Sequence, residues 1–512
     1  MILINSASYV SSSLRNELGN VPPVFVPFGN QKLLTYQIER LRAFFDEQIV
    51  LSLPQSYQLS QMEKKLLSRL QVSVCPVPDE LKLGEAILYV LNVIETQDGN
   101  VRMLHGDTLL TEFPKYNDVL ALGQTIYDYH WEHESNTQGN VWCGYFAFSS
   151  IRLLVAQLAK KRCNFVAGVR QYHQHKTLDL FYCTEWFDFG HINTYFRSRA
   201  MVTTQRSFNE LKIVDGVVKK QSTQNRKIEA EGHWFFRLPE HLKIYIPQLI
   251  SQHSADKSSY CLEYLNALPL NELFVHGRKI KQFWLHLCAL LSKFMQDARG
   301  DEFSCQSIEQ IQVDTIKLYQ DKTINRLDAY AHSSKIDLDA KYKYSGKTVG
   351  SIREIANDCI ARTLKLPIIP CYLHGDLCFS NILYDSRADN IKVIDPRGIN
   401  ADNELTLLGD QKYDLAKLCH SFVGLYDFII ADAFELIENE EVGVVLDFDC
   451  DVSVLALAEV FWQMPFIPNF DNRDILPLTV LLFLSMLPLH SDKPLLQKAM
   501  LANAVRLYAM IK

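Results

Sequence analysis

Across residues 2–104 short apolar runs and amphipathic stretches take turns: apolar runs at 2–4, 49–53, 72–74 and 101–104, with helical spacing at 33–45, 61–70 and 85–94 between them. Strand and helix in strict alternation predict an open α/β sheet with mainly parallel strands, whose ligands sit at the carboxyl ends of the strands. The pattern changes near residue 203. Runs at 208–214 and 217–220 flank Asp215-Gly216, and an Asp-Gly pair between two such runs signals a tight hairpin. Residues 226–238 have helical spacing. From Lys281 onward the pattern is helical, except for strand-like runs between Cys371 and Ile394. The polar stretch 331–347 is expected to be a mobile loop or an extended excursion. The apolar stretch 475–489, interrupted by Pro477 and Pro488, falls short of the ~20 residues that span a membrane, so a buried core helix and no membrane span are expected.

Length and composition then narrow the functional classes. The 512 residues exceed what one hydrophobic core supports, so more than one domain is expected. Hydrophobic residues at 48% and charged residues at 22% exclude a disordered or fibrous chain. Lys plus Arg is 52 against 59 Asp plus Glu, a net charge of −7, which argues against nucleic acid as a partner and favours small-molecule chemistry. Twelve cysteines are scattered with no C-x-x-C pair, and read as buried apolar residues in a reducing compartment. The first residues lack the basic flank and long apolar stretch of a secretory signal, so a cytoplasmic location is expected. Oligomeric state is not legible.

The densest chemistry lies in the run Tyr372-Leu373-His374-Gly375-Asp376-Leu377-Cys378-Phe379-Ser380-Asn381-Ile382-Leu383-Tyr384, followed by Ile391-Lys392-Val393-Ile394-Asp395-Pro396-Arg397-Gly398. Phosphoryl transfer to a hydroxyl needs a carboxylate near the acceptor proton and oxygen ligands that hold Mg²⁺ on the nucleotide phosphates. Asp376 follows one strand, Asn381 lies five residues on, and Asp395 ends a second strand that folds back beside the first. The run resembles the catalytic segment of the aminoglycoside phosphotransferase and choline kinase superfamily, relatives of protein kinases, which reads H-G-D-x-x-x-x-N before an apolar strand ending in I-D. The resemblance implies Asp376 as catalytic base, Asn381 and Asp395 as Mg²⁺ ligands, and His374 as the brace of the loop. It also implies ATP as donor and a sugar, polyol or amino alcohol as the hydroxyl acceptor. Tyr413-Asp414-Leu415-Ala416-Lys417-Leu418 resembles the helix that follows in that family, with Asp414 supporting the catalytic loop.

A kinase-like site also needs a cation over the phosphates and an acidic partner to fix it. Lys219 and Lys220 point to opposite faces of their strand, and Lys220 is the expected one. Of Glu229 and Glu231 the expected partner is Glu231, which shares a helix face with Trp234 and Leu238. Tyr260-Cys261-Leu262-Glu263-Tyr264-Leu265 resembles the hinge strand of such kinases, so the backbone around Glu263 is expected to bind adenine. Gly216 is the one glycine where protein kinases have a glycine-rich phosphate loop.

The first region carries a second resemblance. Residues 2–4 and Pro22-Pro23-Val24-Phe25-Val26-Pro27-Phe28-Gly29-Asn30-Gln31-Lys32-Leu33-Leu34 resemble the opening of sugar-1-phosphate nucleotidyltransferases; His105-Gly106-Asp107-Thr108 and Trp186-Phe187-Asp188-Phe189-Gly190 resemble their two metal sites. This implies Asp107 and Asp188 on Mg²⁺, with CTP or another nucleoside triphosphate as the nucleotide. Arg15 and Lys32 would contact phosphate, and Gly84-Glu85-Ala86 would form a base-binding turn. That family's glycine-rich first loop is replaced by Asn5-Ser6-Ala7-Ser8-Tyr9-Val10-Ser11-Ser12-Ser13-Leu14-Arg15, which has no glycine, and its lysine after proline is absent.

Together the resemblances imply an α/β nucleotidyltransferase-like domain (Rossmann-like, mostly parallel sheet) over 1–202, then an α+β bilobal protein-kinase-like domain with an N-lobe at 203–268 and a helical C-lobe at 269–512. The implied function is bifunctional: phosphorylation of a small-molecule hydroxyl coupled to nucleotidyl transfer, supplying capsule or other surface polysaccharide. The alternative is a catalytically degenerate nucleotide-binding scaffold or regulator of polysaccharide assembly.

Overall fold

The computed structural model describes the chain apart from residues 95–98, 135–138, 207–210, 223–224, 253–258, 301–302 and 512. It divides into two compact units, Met1–Val202 with His276–Arg278, and Thr203–Val275 with Lys279–Lys512.

In the first unit, alternate residues of β1 (Ile2–Asn5) enter two different cores, Leu3 on one face and Ile2 and Ile4 on the other. A strand buried on both faces must be apolar at every position, which is why the run reads Ile-Leu-Ile. The other strands of its seven-stranded sheet are β2 (Ile49–Pro54), β3 (Val72–Val77), β4 (Val101–His105), β6 (Val119–Gln124), β7 (Asn140–Phe148) and β8 (Asp179–Tyr182), in the order β8-β6-β7-β4-β1-β2-β3. Strands β3, β2, β1 and β4 are parallel, as are β6 and β8, while β7 runs antiparallel between β4 and β6. The chain winds from β1 to β2 and β3 on one side, then returns to β4 on the other. The carboxyl ends of β1 and β4 therefore flank a topological switch point, where open α/β sheets bind ligands. A small ribbon, β5 (Thr108–Leu110) with β9 (Trp186–Asp188), sets Asp188 opposite Thr108. Helix α1 (Ser12–Leu18) follows the loop after β1. Helix α2 (Leu83–Val93) begins beside Gly84, where a Cβ would lie 2.1 Å from the Cys163 carbonyl oxygen; this packing accounts for the glycine without a bound base.

The second unit opens with an antiparallel sheet of β10 (Leu211–Val214), β11 (Val217–Gln221), β12 (Leu249–Gln252) and β13 (Ser259–Glu263), in the order β10-β11-β13-β12. Asp215 and Gly216 connect β10 to β11 with φ of 50° and 76°, the double left-handed geometry that Asp-Gly favours. The expected strand start at 208–210 lies outside the described residues. Helix α3 (Asn225–Arg237) packs on β12 and β13. Beyond it the unit is mainly helical, with three short strands in one sheet: β14 (Leu268–Pro269), β16 (Ile382–Asp385) and β17 (Asn390–Val393). Strand β15 (Pro370–Tyr372) leads into the His374 loop.

Three helices matter for the site: α4 (Lys322–Ser334), α5 (Lys412–Phe422), buried along its whole length, and α6 (Leu476–Met486). Among the described residues one stretch, Asn472–His490, is long and apolar enough to cross a membrane by length and composition; its most apolar window is 67% buried inside the protein. Of the two expectations for 331–347, the extended excursion is the nearer, with an irregular connection at 335–340. Helix α4 continues to Ser334, and Lys341–Tyr344 and Lys347–Ser351 form a hairpin about Ser345 and Gly346. One edge of this hairpin pairs with Gly443–Phe448, a partner roughly a hundred residues away that local patterning does not announce.

Candidate functional sites

In the second unit the His374 loop is held from three sides. Gly375 has φ 77°, and a Cβ there would fall 2.7 Å from the Cβ of Arg397. The His374 and Gly375 amides donate to the two carboxylate oxygens of Asp414 at 2.9 and 2.8 Å. Burial pushes the Asp414 carboxyl up to about 7 against these two donors. The imidazole of His374 is fully buried, and burial brings it down to about 4, so it is neutral. Its Nε2 donates to the Ile394 carbonyl at 2.9 Å and its Nδ1 accepts from the Asp376 amide at 3.2 Å. Trp234 closes the third side, donating from Nε1 to the Leu373 carbonyl at 2.9 Å.

These bonds present Asp376 to a cleft of about 400 Å³ that Asn381, Asp395 and Glu231 also line. Asp376 Oδ1 meets the Lys417 ammonium at 2.8 Å and Oδ2 accepts from Asn381 Nδ2 at 3.0 Å. Burial opposes its charge, but Lys417, His374 and Asn381 outweigh burial and bring the carboxyl down to about 2. Asp395 follows β17 with φ 56°, a strained conformation for a residue with a side chain, and Ile394 beside it donates to the Asn381 carbonyl at 2.9 Å. Lys220 of β11 bridges Asp395 Oδ1 at 3.0 Å and Glu231 Oε2 at 2.8 Å. Burial works to lower the Lys220 pKa, and the two carboxylates override it and raise it. Glu231 is 1% exposed on the same buried face of α3 as Trp234 and Leu238, and also accepts from the Tyr260 hydroxyl at 2.7 Å. Lys219 has neither carboxylate as partner, and Glu229 pairs with Arg226 at 3.0 Å.

Two further points correct or extend the sequence reading. The Glu263 amide donates to the Gln248 carbonyl at 2.9 Å and the Tyr264 amide to the Gly216 carbonyl at 2.8 Å, so these two donors of the expected hinge are engaged within the fold. Glu263 itself is exposed. Lys417 was given no role from sequence. It lies one turn after Asp414, so one helix face supplies both the clamp on the loop backbone and the counter-charge of Asp376; that three-residue spacing was its available signal. Asp395 and Asn381 line the same cleft, and each carries a hard-oxygen donor. Such a pair fits Mg²⁺, which takes one or two carboxylates and completes its shell with water and phosphate.

In the first unit Asp107 follows β4 at the switch point, and Asp188 ends β9. Asp188 Oδ2 accepts from the Thr194 hydroxyl and from His191 Nδ1 at 2.9 Å; Oδ1 accepts from the Gly190 amide at 3.2 Å. A Cβ on Gly190 would sit 2.3 Å from Asp107 Oδ2, so only glycine lets the two carboxylates come this close. Burial, and after it the Asp188 charge, push the Asp107 carboxyl up to about 6. The His191 ring stacks on Tyr129 at 4.0 Å. Beside Asp188 lies a cleft of about 330 Å³ lined by Trp186, Thr194 and Arg197.

Of the two cations expected to contact phosphate, one is engaged within the fold. Lys32 is 3% exposed, and its ammonium is bound to Glu63 at 2.7 Å, with Arg278 on the other carboxylate oxygen at 2.9 Å. Arg15 is exposed on α1 and bonded to neither aspartate. Among the described residues no three His, Cys, Asp or Glu side chains converge as a metal site.

No protein-family model and no curated protein matches the chain. Among solved structures it is similar to a nucleoside-diphosphate-sugar pyrophosphorylase from Vibrio cholerae RC9, at 15% identity over 39% of this chain and 99% of that one, with a TM-score of 0.33. It is similar to CTP:phosphocholine cytidylyltransferase from Streptococcus pneumoniae, at 13% identity over 39% and 98%, with a TM-score of 0.29. It is also similar to a choline/ethanolamine kinase family protein from Mesorhizobium loti, at 9% identity over 59% and 84%, with a TM-score of 0.34. At these scores the likeness decides nothing about chemistry, which rests on the residues themselves.

Proposed function

We propose that residues 203–512 form a kinase-like body, with an N-lobe at 203–268 and a helical C-lobe at 269–512, that transfers the γ-phosphoryl group of ATP to the hydroxyl of a small molecule. One observation carries this reading: a single cleft joins the Glu231–Lys220–Asp395 ion-pair chain to the Asp376–Asn381 pair, each supported by buried bonds. Asp376, ionised at any physiological pH, accepts the hydrogen bond of the acceptor hydroxyl and orients it. The acceptor oxygen bonds to the γ-phosphorus, the bond from that phosphorus to the β–γ bridging oxygen breaks, ADP leaves, and the hydroxyl proton passes through Asp376 to water. Lys220, set by Glu231, holds nucleotide phosphate. Mg²⁺ on Asp395 and Asn381 would neutralise phosphate charge. His374 and Asp414 touch no reacting atom and position the loop. Asp376→Ala and Asp395→Ala are each expected to lower ATP-dependent phosphorylation by about 10³-fold in protein that keeps its wild-type circular dichroism. Undiminished turnover in both removes the assignment.

For residues 1–202 we propose nucleotide or nucleotide-sugar binding at the switch point, with Asp107 and Asp188 taking a divalent cation. In the full reading the kinase product is the phosphate that attacks CTP or another nucleoside triphosphate here, releasing pyrophosphate, as a step toward surface polysaccharide. The burial of Lys32 against Glu63 and the glycine-free loop after β1 favour the second reading for this unit, a binding domain without transfer. Pyrophosphate release in wild type that is lost in Asp107→Ala selects the first reading; nucleotide binding without pyrophosphate release selects the second.

A further inference from the structure

The cleft that holds Asp376 is lined by Lys227, Lys322, Arg326, Arg397 and Lys417 against three acids, Glu231, Asp376 and Asp395. The acids are already engaged, with Lys220 on Glu231 and Asp395 and with Lys417 on Asp376. That leaves a surplus of cations on the side of α4. Lys322 and Arg326 are four residues apart on one helix face, a like-charge spacing that costs helix stability. Just before them the helix takes a π turn at Lys317–Asp321, an irregularity that shifts the phase of the face that follows and recurs at functional sites. Arg397 arrives from the loop after β17. Arg326 donates to the Ser485 carbonyl at 2.9 Å, but among the described residues neither the Lys322 ammonium nor the Arg397 guanidinium has a hydrogen-bonding or ion-paired partner. Three half-buried basic side chains crowded together with no acid left for them are a standing cost that an anion in their midst would remove. Burial, with repulsion from Arg397, Arg326 and Lys417, brings Lys322 down to about 6, so it gives up most of its charge near neutral pH and an anion in the site would restore the proton.

We propose that the acceptor of this site is itself an anion, a hydroxylated carboxylate or phosphate ester, whose charged group is held by Lys322, Arg326 and Arg397 while its hydroxyl meets Asp376. This rests on the kinase reading of the second unit, and it excludes the amino-alcohol class from the acceptors expected from sequence. An ammonium group would enter a cleft whose carboxylates are spoken for and whose remaining charges repel it. The same cations also offset the repulsion between an anionic acceptor and the triphosphate.

The test is calorimetric titration of the full chain, saturated with MgADP, with inorganic phosphate, D-glycerate, glycerol and choline. Phosphate or glycerate is expected to bind at least tenfold more tightly than glycerol or choline, and the two anions tell a phosphate ester from a carboxylate. Lys322→Gln with Arg326→Gln, and separately Arg397→Gln, are expected to weaken the anion by tenfold or more while the MgADP affinity changes less than threefold. Because these changes relieve repulsion, melting temperatures at or above wild type are expected. Choline binding more tightly than either anion, anion binding unchanged in the variants, or no anion binding up to about 10 mM overturns the proposal. So does an equal loss of MgADP affinity, which would assign the cations to the nucleotide. Failure of wild type to bind MgADP would instead sink the kinase reading, and the anion and choline titrations of the nucleotide-free protein would still decide the preference of the cleft.

Discussion

In the second unit Asp376, Asp395 and Glu231 each touch a lysine ammonium, whereas in the first unit Asp107 and Asp188 approach one another with His191 as the basic partner. The same residue type is thus set in opposite electrostatic states. Lys417 holds Asp376 ionised down to about 2, while burial and Asp188 keep Asp107 partly protonated near 6. A carboxylate with its own counter-charge is ready to orient a hydroxyl. A carboxylate pair whose basic neighbour is a single imidazole would, in the function proposed above, take up a cation. Lys32, expected to contact phosphate in the first unit, forms a dry pair with Glu63 that supports the fold.

The contrast is broken most sharply by Lys417→Met. With the main opponent of burial gone, the Asp376 carboxyl rises, and phosphoryl transfer should fall about 10³-fold at pH 6 and recover part of its loss as pH increases; the wild-type rate should stay flat with respect to this group down to about pH 3. A flat profile in the variant would mean that Lys417 does not set the charge of Asp376.

Glu63→Gln tests the diverted lysine. Burial opposes the Glu63 charge, but Lys32 and Arg278 outweigh it and bring the carboxyl down to about 2 from 4.5. A depressed carboxyl adds stability above pH 4.5 that is lost as pH falls through 2. The substitution should cost roughly 3 kcal/mol at pH 7 in urea denaturation of the first unit, with the difference shrinking below pH 4.

Smaller effects sharpen the first site. Gly190→Ala puts a Cβ against Asp107, and nucleotide affinity there should drop by about tenfold, with ATP-dependent phosphorylation by the second unit unaltered. Because Asp107 must lose its proton to bind a cation, Mn²⁺ affinity of the first unit should rise severalfold between pH 5 and 7. In Asp188→Asn that midpoint should move below pH 6, and an unmoved midpoint would mean Asp188 does not raise Asp107.

Much of this was legible locally. Asp215-Gly216 announces its hairpin because few other pairs adopt two left-handed conformations in succession. The run from His374 to Asn381 announces a loop whose side chains and backbone satisfy one another within five residues. Alternation along β11 narrows the inward lysine to one of two, yet the pairing of Lys220 depends on Glu231 and Asp395, one of them 175 residues away. The hinge reading could not foresee that the Gln248 and Gly216 carbonyls take up the Glu263 and Tyr264 amides, because those partners are distant in sequence. Lys322 and Arg326 carried no signal, since a like-charged pair on a helix normally faces water.

Turn geometry, two-sided burial of the parallel strands and the spacing of the catalytic loop follow from the chain alone, because steric and hydrophobic rules act on neighbouring residues. Which charge meets which was settled in folding. Lys32 goes to Glu63, Lys417 to Asp376, and the α4 cations to a cleft with no acid left for them, because desolvation makes a charge's cost depend on whatever distant group is brought beside it.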